Sequence, residues 1–271
     1  MIAVRPFSII RRAGYSVLEL LVVLAVIAVL IGLVAVAIQK VRAAASRAAC
    51  QNHLRQQAAA ALNYESRTHR LPPGAISGPF SSPNVPEGVS HGLWPVLLND
   101  LGESAVSMQY RWNENYFAPA NQPAASRQLS VLLCPGRPTG RIEEWDDGRT
   151  GGVADFAPLI VNAFLIDLGL LEPNTVAHGP LPTNGTVSLD EISDGVSQTI
   201  LLVETPGLLG GTAWSSSSLP IPVRHVLGES PHGRGANVAF CDGSVRFFPE
   251  STGIRTLARM ATRSGGETLP E

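Results

Sequence analysis

The chain has 271 residues, which is long enough for one domain of ordinary size, or two small ones, around a real core. Only 15% of the residues are charged and 45% are hydrophobic, which excludes a disordered chain, and a formal net charge of -2 gives no electrostatic reason to expect a nucleic acid as a partner. The three cysteines, Cys50, Cys134 and Cys241, form no CxxC pair, so the sequence does not support a zinc site and leaves the pairing of any disulfide open.

The first predicted element is an apolar helix near the N-terminus. Every residue from Val17 to Ile38 is apolar or glycine, except Glu19. A bilayer core of about 30 Å needs about 20 helical residues, so this run is long enough to cross a membrane. The alternative is an ordinary secretory signal cleaved after Ala45, but such signals have apolar cores of roughly 7 to 15 residues, and this run is longer.

Glu19 is the informative residue of this run, because a carboxylate at membrane depth costs about 3 kcal/mol unless it is paired or stays at the interface. One interpretation places it in the headgroup region without a role. The other needs a positive partner that appears after processing. Cleavage after Gly14 would make Tyr15 the new N-terminus, and its ammonium could pair with Glu19 of the same or a neighbouring helix.

The residues around Gly14 resemble the recognition site of prepilin peptidase in type IV pilins and type II secretion pseudopilins. A basic segment, Arg11-Arg12-Ala13-Gly14, precedes the apolar run, and Glu19 is the fifth residue after Gly14, as in that family. The family usually has Phe as its first mature residue, where this chain has Tyr15.

This resemblance implies a processed, membrane-anchored protein. Prepilin peptidase would remove residues 1–14 and methylate the new amine, and other pilin-like subunits and membrane lipid would be the further partners. The basic residues on the two sides of the span do not decide its orientation, so the expected location rests on the resemblance. That location is the inner membrane, crossed once, with the C-terminal head exported to the periplasm or the cell surface.

The helix is predicted to continue beyond the membrane. Residues 39–66 are rich in Ala, Arg and Gln and contain no Pro or Gly, and Leu71-Pro72-Pro73-Gly74 is a strong stop signal. Four apolar residues recur at helical spacing and predict a face that packs on a globular head: Leu54, Ala58, Ala61 and Leu62.

The remaining chain is predicted to form strands and loops, since short apolar runs alternate with Gly, Pro, Asn and Ser. Candidate strands are Ser130–Leu133, Thr199–Val203 and the pair around Asp242, and Ser215–Pro222 is predicted to be an exposed loop. The expected fold class is α+β, with a long N-terminal helix packed on an antiparallel sheet. The expected segments are a leader (1–14), a transmembrane half-helix (15–39), an exported half-helix (40–70) and a head (71–271).

Asp242-Gly243 predicts a hairpin turn, because both residues tolerate positive φ. A two-residue turn would pair Phe240 with Val245 and Val238 with Phe247, placing these four apolar side chains on one face.

The same hairpin carries a second resemblance. His232, nine intervening residues and Asp242-Gly243 are similar to the H-X9-DG motif that ends a family of prepilin-type bacterial proteins of unknown function. Further blocks agree with that family: Gln51-Asn52-His53-Leu54, Asn63-Tyr64, Leu71-Pro72-Pro73-Gly74, Leu133-Cys134-Pro135 and Leu189 with 194–199. Val36 departs from it, because the family usually has a membrane-helix Pro there.

Cys241 also departs from this family, which usually has Ala at that position. The resemblance therefore implies that Cys241 is the unpaired thiol and that Cys50 and Cys134 form a disulfide between the stem helix and the head.

Two groups of residues invite a chemical role. His232 and Asp242 could serve acid–base or metal chemistry, but no third partner is visible, so a structural role is favoured. Asp190, Glu191 and Asp194 are a weak calcium candidate, which the pseudopilin resemblance supports, whereas the alternative of a helix N-cap or turn needs no ion. No cofactor other than this possible calcium is expected.

The sequence therefore predicts an assembly subunit and no enzyme. One rival is a membrane-tethered binding module that never polymerises, and the other is an anchored hydrolase that would use His232. No nucleophile, phosphate-binding or dinucleotide-binding motif stands where it could act.

Overall fold

The computed structural model describes most of the chain in two compact units. The described residues are 16–77, 85–145, 148–161, 164–172, 178–205, 213–217, 221–222 and 229–266. The first unit ends at Ala44 and the second begins at Ala45. Gly14 and Tyr15, the residues of the predicted cleavage site, lie outside the described residues.

The longest element is helix α1, Val17–Thr68. It contains no proline, and its one glycine is Gly32. The helix ends one residue before His69, which has a φ of 58°, and the predicted stop signal follows at Leu71. Within the described part of the chain, α1 alone is long and apolar enough to cross a membrane. The prediction of a single apolar N-terminal helix that continues past residue 39 is confirmed.

Beyond α1 the described residues form short helices and strands. The helices are α2 (Leu93–Leu97), α3 (Ser104–Ser107), α4 (Gln122–Ala125), α5 (Phe164–Asp167) and α6 (Ile254–Ala261). The strands are β1 (Ala75–Ile76), β2 (His91–Gly92), β3 (Ile142–Glu144), β4 (Thr150–Gly152), β5 (Phe156–Ala157), β6 (Leu159–Ile160), β7 (Ile200–Glu204), β8 (Ile221–Pro222), β9 (Glu229–Ser230), β10 (Gly233–Phe240) and β11 (Val245–Pro249).

The main sheet has five antiparallel strands in the order β11-β10-β7-β5, with β9 pairing to β10. Strand β7, sequence ILLVE, is buried at all five positions, as expected for a central strand covered on both faces. Three two-stranded sheets accompany it: β1-β2 and β3-β4 are antiparallel, and β6-β8 is parallel. A long helix with mainly antiparallel sheets confirms the α+β prediction.

The second half of α1 contributes one face to the core of the second unit. Leu54, Ala58 and Ala61 are fully buried, while Leu62 is half-buried. The three buried residues belong to the same apolar cluster as Trp94 of α2. The predicted stripe therefore packs as expected, apart from its last member.

The C-terminal hairpin forms, but its predicted register is wrong. Ala239 pairs with Val245 and Val238 pairs with Arg246, whereas the two-residue turn would have paired Phe240 with Val245. Because side chains alternate along a strand, this shift of one residue moves every side chain of β11 to the face opposite the predicted one.

The cause is a turn that is one residue longer. Phe240 N donates to Ser244 O at 2.9 Å and Gly243 N donates to Phe240 O at 2.9 Å, which encloses a three-residue loop. Gly243 has a φ of 83°, the conformation of a glycine bulge. Cys241 N also donates to Thr199 O at 3.0 Å, a tertiary bond that fixes this longer loop.

The predicted strand at Ser130–Leu133 is also wrong, because residues Ser130–Leu132 form a 3-10 helix. Its carbonyl groups bind side chains of α1 in place of a neighbouring strand. Gln57 Nε2 donates to Val131 O at 2.6 Å, and His53 Nδ1 lies 2.8 Å from Leu133 O.

The predicted exposed loop at Ser215–Pro222 begins inside the protein. Ser215 is fully buried and Ser216 is 3% exposed. Gly92 N donates to Ser215 O at 2.8 Å, and a Cβ on Gly92 would lie 2.4 Å from Ser216 O. Only a glycine lets β2 approach this segment so closely.

Candidate functional site

The first half of α1 carries no polar side chain between Leu20 and Ile38. Every residue from Val17 to Ala45 is exposed, including all of the large apolar side chains. A helix that is apolar all round must be covered either by a protein interior or by lipid. This half of α1 is the candidate membrane segment.

Glu19 lies in the first turn of this segment and helps to cap its N-terminus. Ser16 N donates to the Glu19 carboxylate at 2.8 Å, and Leu18 N donates to Ser16 Oγ at 3.3 Å. This is the reciprocal pattern of a helix N-cap, and the carboxylate also lies at the positive end of the helix dipole. The role predicted for Glu19 with the amine of Tyr15 stays a prediction, since Tyr15 is not among the described residues.

A second site lies in the second unit, where four side chains from separate segments converge. Cys50 comes from α1, Cys134 from the loop after the 3-10 helix, Glu204 from the end of β7, and His232 from the turn between β9 and β10. Their ligand atoms all lie within 4.8 Å of one another. Among the residues that the structure describes, no other group of His, Cys, Asp or Glu side chains converges in this way.

His232 contacts two other members of this cluster. Its Nε2 atom is 3.1 Å from Cys134 Sγ and 3.6 Å from Glu204 Oε1. All four residues are buried: the residue exposures are 0% for Cys50, 2% for Cys134, 1% for Glu204 and 8% for His232.

Buried ionic groups hold the Cys134 loop in position. Cys134 N donates to Asp155 Oδ2 at 2.7 Å, and the Asp155 carboxylate pairs with both Arg137 and Arg141. A Cβ on Gly136 would lie 2.9 Å from the His232 ring, so the loop can approach His232 only with glycine at that position.

A hydrogen-bonded chain orients the Glu204 carboxylate. Asn237 donates to Glu204 Oε2 from its backbone at 3.3 Å and from its side-chain amide at 2.7 Å. Gln51 Nε2, next to Cys50 on α1, in turn donates to Asn237 Oδ1 at 3.0 Å. These bonds hold Oε2, whereas Oε1 faces His232 and accepts from Ser230 Oγ at 3.3 Å.

The contacts within the cluster shift its proton affinities. The hydrogen bond with Cys50 lowers the pKa of Cys134 to about 7, although burial acts in the opposite direction. The same hydrogen bond, together with burial, raises the pKa of Cys50. Burial has the largest effect on His232 and favours its neutral form, but the hydrogen bond with Cys134 and the charge of Glu204 leave the pKa of His232 raised. The cluster therefore favours a thiolate on Cys134, the form in which cysteine binds metals.

The structure separates the residues of the H-X9-DG motif. His232 and Asp242 lie at opposite ends of β10, an eight-residue strand that spans about 26 Å. Asp242 is exposed and its Oδ1 accepts from Ser244 N at 2.8 Å, the bond of a turn residue. Asp242 and Gly243 therefore lie in the hairpin turn, as predicted, while His232 belongs to the buried cluster.

The carboxylates of the weak calcium candidate have other partners. Glu191 forms a capping box with Ser188 and pairs with Arg70 and Arg263. The bond from Ser188 N is the largest of the effects that lower the pKa of Glu191. The alternative interpretation as a helix cap is confirmed for this residue.

Asp194, from the same candidate, binds backbone groups. Its carboxylate accepts from Gly265 N at 2.6 Å and from Gly266 N at 3.0 Å. Asp190 is exposed on the neighbouring 3-10 helix. The structure therefore gives these three residues no shared site.

All three cysteines are free and buried. The sulfur atoms of Cys50 and Cys134 lie within 4.8 Å of each other, so the predicted partners are neighbours, but the structure contains thiols and the disulfide itself stays a prediction. Cys241 lies outside the cluster, and burial raises its pKa.

Sequence reasoning missed the cluster as a whole and Glu204 in particular. The four residues come from distant segments, and no spacing between them matches a known metal motif. The single hint was His232, which resembled a family motif without a role. Only the pairing of β7 with β10 and the packing of α1 bring the four together.

Comparisons with known proteins identify the family of the chain. A family model described as "Protein of unknown function (DUF1559)" matches residues 39–220, which is more than half of the chain and includes Cys50, Cys134 and Glu204. No curated protein and no solved structure matches the chain. The chain therefore belongs to the DUF1559 family, the prepilin-like H-X9-DG proteins of unknown function.

Proposed function

We propose that the protein is a pilin- or pseudopilin-like assembly subunit, anchored in the inner membrane by the first half of α1, with its head exported. The observation that carries the proposal is the division of one helix, Val17–Thr68, into an exposed apolar half with an acid in its first turn and a half that packs into a globular core. Membership in the prepilin-like DUF1559 family supports the same role.

In this proposal prepilin peptidase removes residues 1–14 and methylates the amine of Tyr15. The mature chain waits in the membrane, and assembly packs the first half of α1 against the same segment of other pilin-like subunits. The Glu19 carboxylate, which accepts a bond from Ser16 N in the single chain, then pairs with the Tyr15 ammonium of a neighbour. Removing one partner of an ion pair in such a low-dielectric environment costs about 3–5 kcal/mol. The ion pair between Glu19 and the Tyr15 ammonium of a neighbour therefore favours the assembled state.

The role is assembly and not catalysis. Asp242 accepts the hydrogen bond of a turn residue, and His232 lies in a cluster that is almost closed to solvent. A hydrolase would need His232 beside an accessible nucleophile.

Replacement of Glu19 by Gln tests the proposal, because the amide keeps the size of the side chain and loses its charge. We expect Glu19→Gln to reach the membrane at the wild-type level but to fall at least tenfold in the filament fraction sheared from cells, or in cross-links to other pilin-like subunits. Glu65→Gln, in the second half of the same helix, is the matched control and should assemble normally. Equal assembly of Glu19→Gln and wild type would contradict the proposal.

A tethered binding module is the second candidate, and one feature favours it. A groove of about 520 Å³ in the second unit is lined by residues of the α1 end, α2 and the loops around them, among them Tyr64, Arg67, Asp100 and Trp112. A ligand of the head would bind there with the same affinity in the Glu19→Gln chain, whereas assembly should depend on Glu19.

A further inference from the structure

We propose that Cys50, Cys134, Glu204 and His232 bind one zinc ion, which fastens the second half of α1 to the sheet and loops of the head. The site goes beyond the assembly function and does not depend on it.

The kinds of donor atom point to zinc. The cluster offers two sulfurs, one imidazole nitrogen and one carboxylate oxygen, all within 4.8 Å of one another. Zinc takes this mixture of sulfur, nitrogen and oxygen ligands, whereas calcium and magnesium require oxygen ligands alone. Four protein ligands are also the usual number for a tetrahedral structural zinc site.

The separations of the ligand atoms are close to those of a zinc site. Zinc bonds of about 2.3 Å to sulfur and about 2.1 Å to nitrogen or oxygen place tetrahedral ligand atoms roughly 3.4 to 3.8 Å apart. His232 Nε2 is 3.1 Å from Cys134 Sγ and 3.6 Å from Glu204 Oε1. At these two contacts ion binding therefore needs shifts of only a few tenths of an ångström, and no two of the four ligand atoms are farther apart than 4.8 Å.

The geometry argues against a catalytic cysteine. In a Cys–His–acid triad the acid holds one ring nitrogen of the histidine and the nucleophile faces the other. Here Cys134 and Glu204 both face Nε2 of His232, so the three residues cannot form a relay. A sulfur and a carboxylate oxygen that both approach one nitrogen are instead arranged as ligands around a shared cation would be.

The burial of the four ligands indicates a structural zinc site and not a catalytic one. The most exposed of the four residues is His232, at 8%, so no ligand position is open to a substrate. A catalytic zinc ion keeps one position for water or substrate, and a structural zinc ion does not.

The residues around the ligands hold them as partners of a metal site should. Asn237 fixes the second oxygen of Glu204 and is itself bound by Gln51, and Asp155 fixes the backbone at Cys134. Such outer bonds orient the ligands, and their removal typically costs about 10 to 100-fold in metal affinity.

Charge balance is also met. When zinc is bound, both cysteines are thiolates and the imidazole is neutral, and any protons still on these groups leave to solvent. Zn²⁺ with two thiolates, one carboxylate and a neutral imidazole carries a net charge of minus one. Arg47 donates a hydrogen bond to the His232 carbonyl and places a guanidinium beside the cluster. The buried complex therefore has a compensating cation from the same helix that supplies Cys50.

Metal content of the full chain, purified from its membrane in detergent without chelator, tests the proposal. Elemental analysis should find one zinc ion per wild-type chain. Cys50→Ala, Cys134→Ala and His232→Ala should each lower this content to near zero. Cys241→Ala is the matched control, because Cys241 is equally buried but lies outside the cluster, and it should keep its zinc.

A second measurement covers the case in which the ligand variants fail to fold. Asn237→Ala leaves all four ligands in place and should retain one zinc ion in the absence of competitor. It should then release that zinc at about a 10 to 100-fold lower concentration of a competing chelator than wild type does. Replacement of zinc by Co²⁺ in the wild-type chain should give the visible absorption bands of tetrahedral cobalt with thiolate ligands.

Three results would overturn the proposal. The first is a wild-type chain without stoichiometric zinc. The second is zinc that remains in the Cys50, Cys134 and His232 variants at the level of the Cys241→Ala control. The third is a peptide map of non-reduced protein in which Cys50 and Cys134 are joined by a disulfide, since the oxidised sulfurs could not serve as two thiolate ligands.

Discussion

The two halves of α1 share one backbone conformation and differ in what surrounds them. From Val17 to Ala45 every side chain is exposed and nearly all are apolar, whereas between Cys50 and Ala61 a single face is buried in the head. In the second half most polar residues lie on the remaining surface, as in an ordinary amphipathic helix, whereas Gln57 is buried and donates to Val131 O. One continuous helix can thus have one half suited to lipid and another half suited to a protein core. The pattern of its side chains shows where the change occurs.

The two halves of α1 also contribute differently to the stability of the head. The head draws stability from the second half, because Leu54 and its neighbours belong to the main apolar core. The first half contributes no buried side chain to the described structure. Its apolar surface is available to lipid and, in our proposal, to other subunits.

The largest expected effect is on the stability of the head. Leu54→Ala removes a fully buried side chain and should lower the free energy of unfolding by about 2–5 kcal/mol, since it leaves a cavity in the core. Leu24→Ala, the same change in the first half, should leave it unchanged. Denaturant unfolding of the full chain in detergent, followed by the fluorescence of the buried Trp94 and Trp214, measures both. Similar shifts for the two variants would remove the distinction between the halves.

The opposite comparison concerns membrane insertion, which should depend on the first half of α1 and not on the second. Ala28→Arg places a charge in the middle of the apolar half and should cost about 2.5–3.5 kcal/mol of insertion free energy. The fraction of protein that resists alkaline extraction from membranes should fall. Ala59→Arg, at an exposed position of the second half, should behave as wild type. An Ala28→Arg chain as firmly bound as the control would argue against a spanning helix.

The sequence predicted the parts of the fold that depend on local pattern. The apolar run beginning at Val17, the stripe at Leu54 and the stop at Leu71 follow from composition and helical period, and all three agree with the structure. The strand at Thr199–Val203 was also predicted, because a short run of buried aliphatic residues next to a turn is a local feature.

The wrong predictions concern segments whose conformation is decided by contacts with distant parts of the chain. Asp242-Gly243 fits both a two-residue and a three-residue loop, and the bond from Cys241 N to Thr199 O selects the longer one. The segment Ser130–Leu133 has the composition of a strand, but its carbonyls are bound by Gln57 and His53 of α1. Neither contact can be read from neighbouring residues.

The buried cluster escaped prediction for the same reason. Metal sites that are visible in a sequence have closely spaced ligands such as CxxC, whereas these ligands are brought together by the packing of α1 against the sheet. His232 belongs to a motif that the sequence shows, but only the fold brings it into contact with Cys134 and Glu204.

The mass of the mature N-terminal peptide, isolated from membranes of the native host, tests the proposed anchoring and assembly most directly. We predict a chain that begins at Tyr15 and carries a methyl group on its amine. A chain that retains residues 1–14, or one that begins at Ser46 after loss of the apolar half, would contradict the proposal.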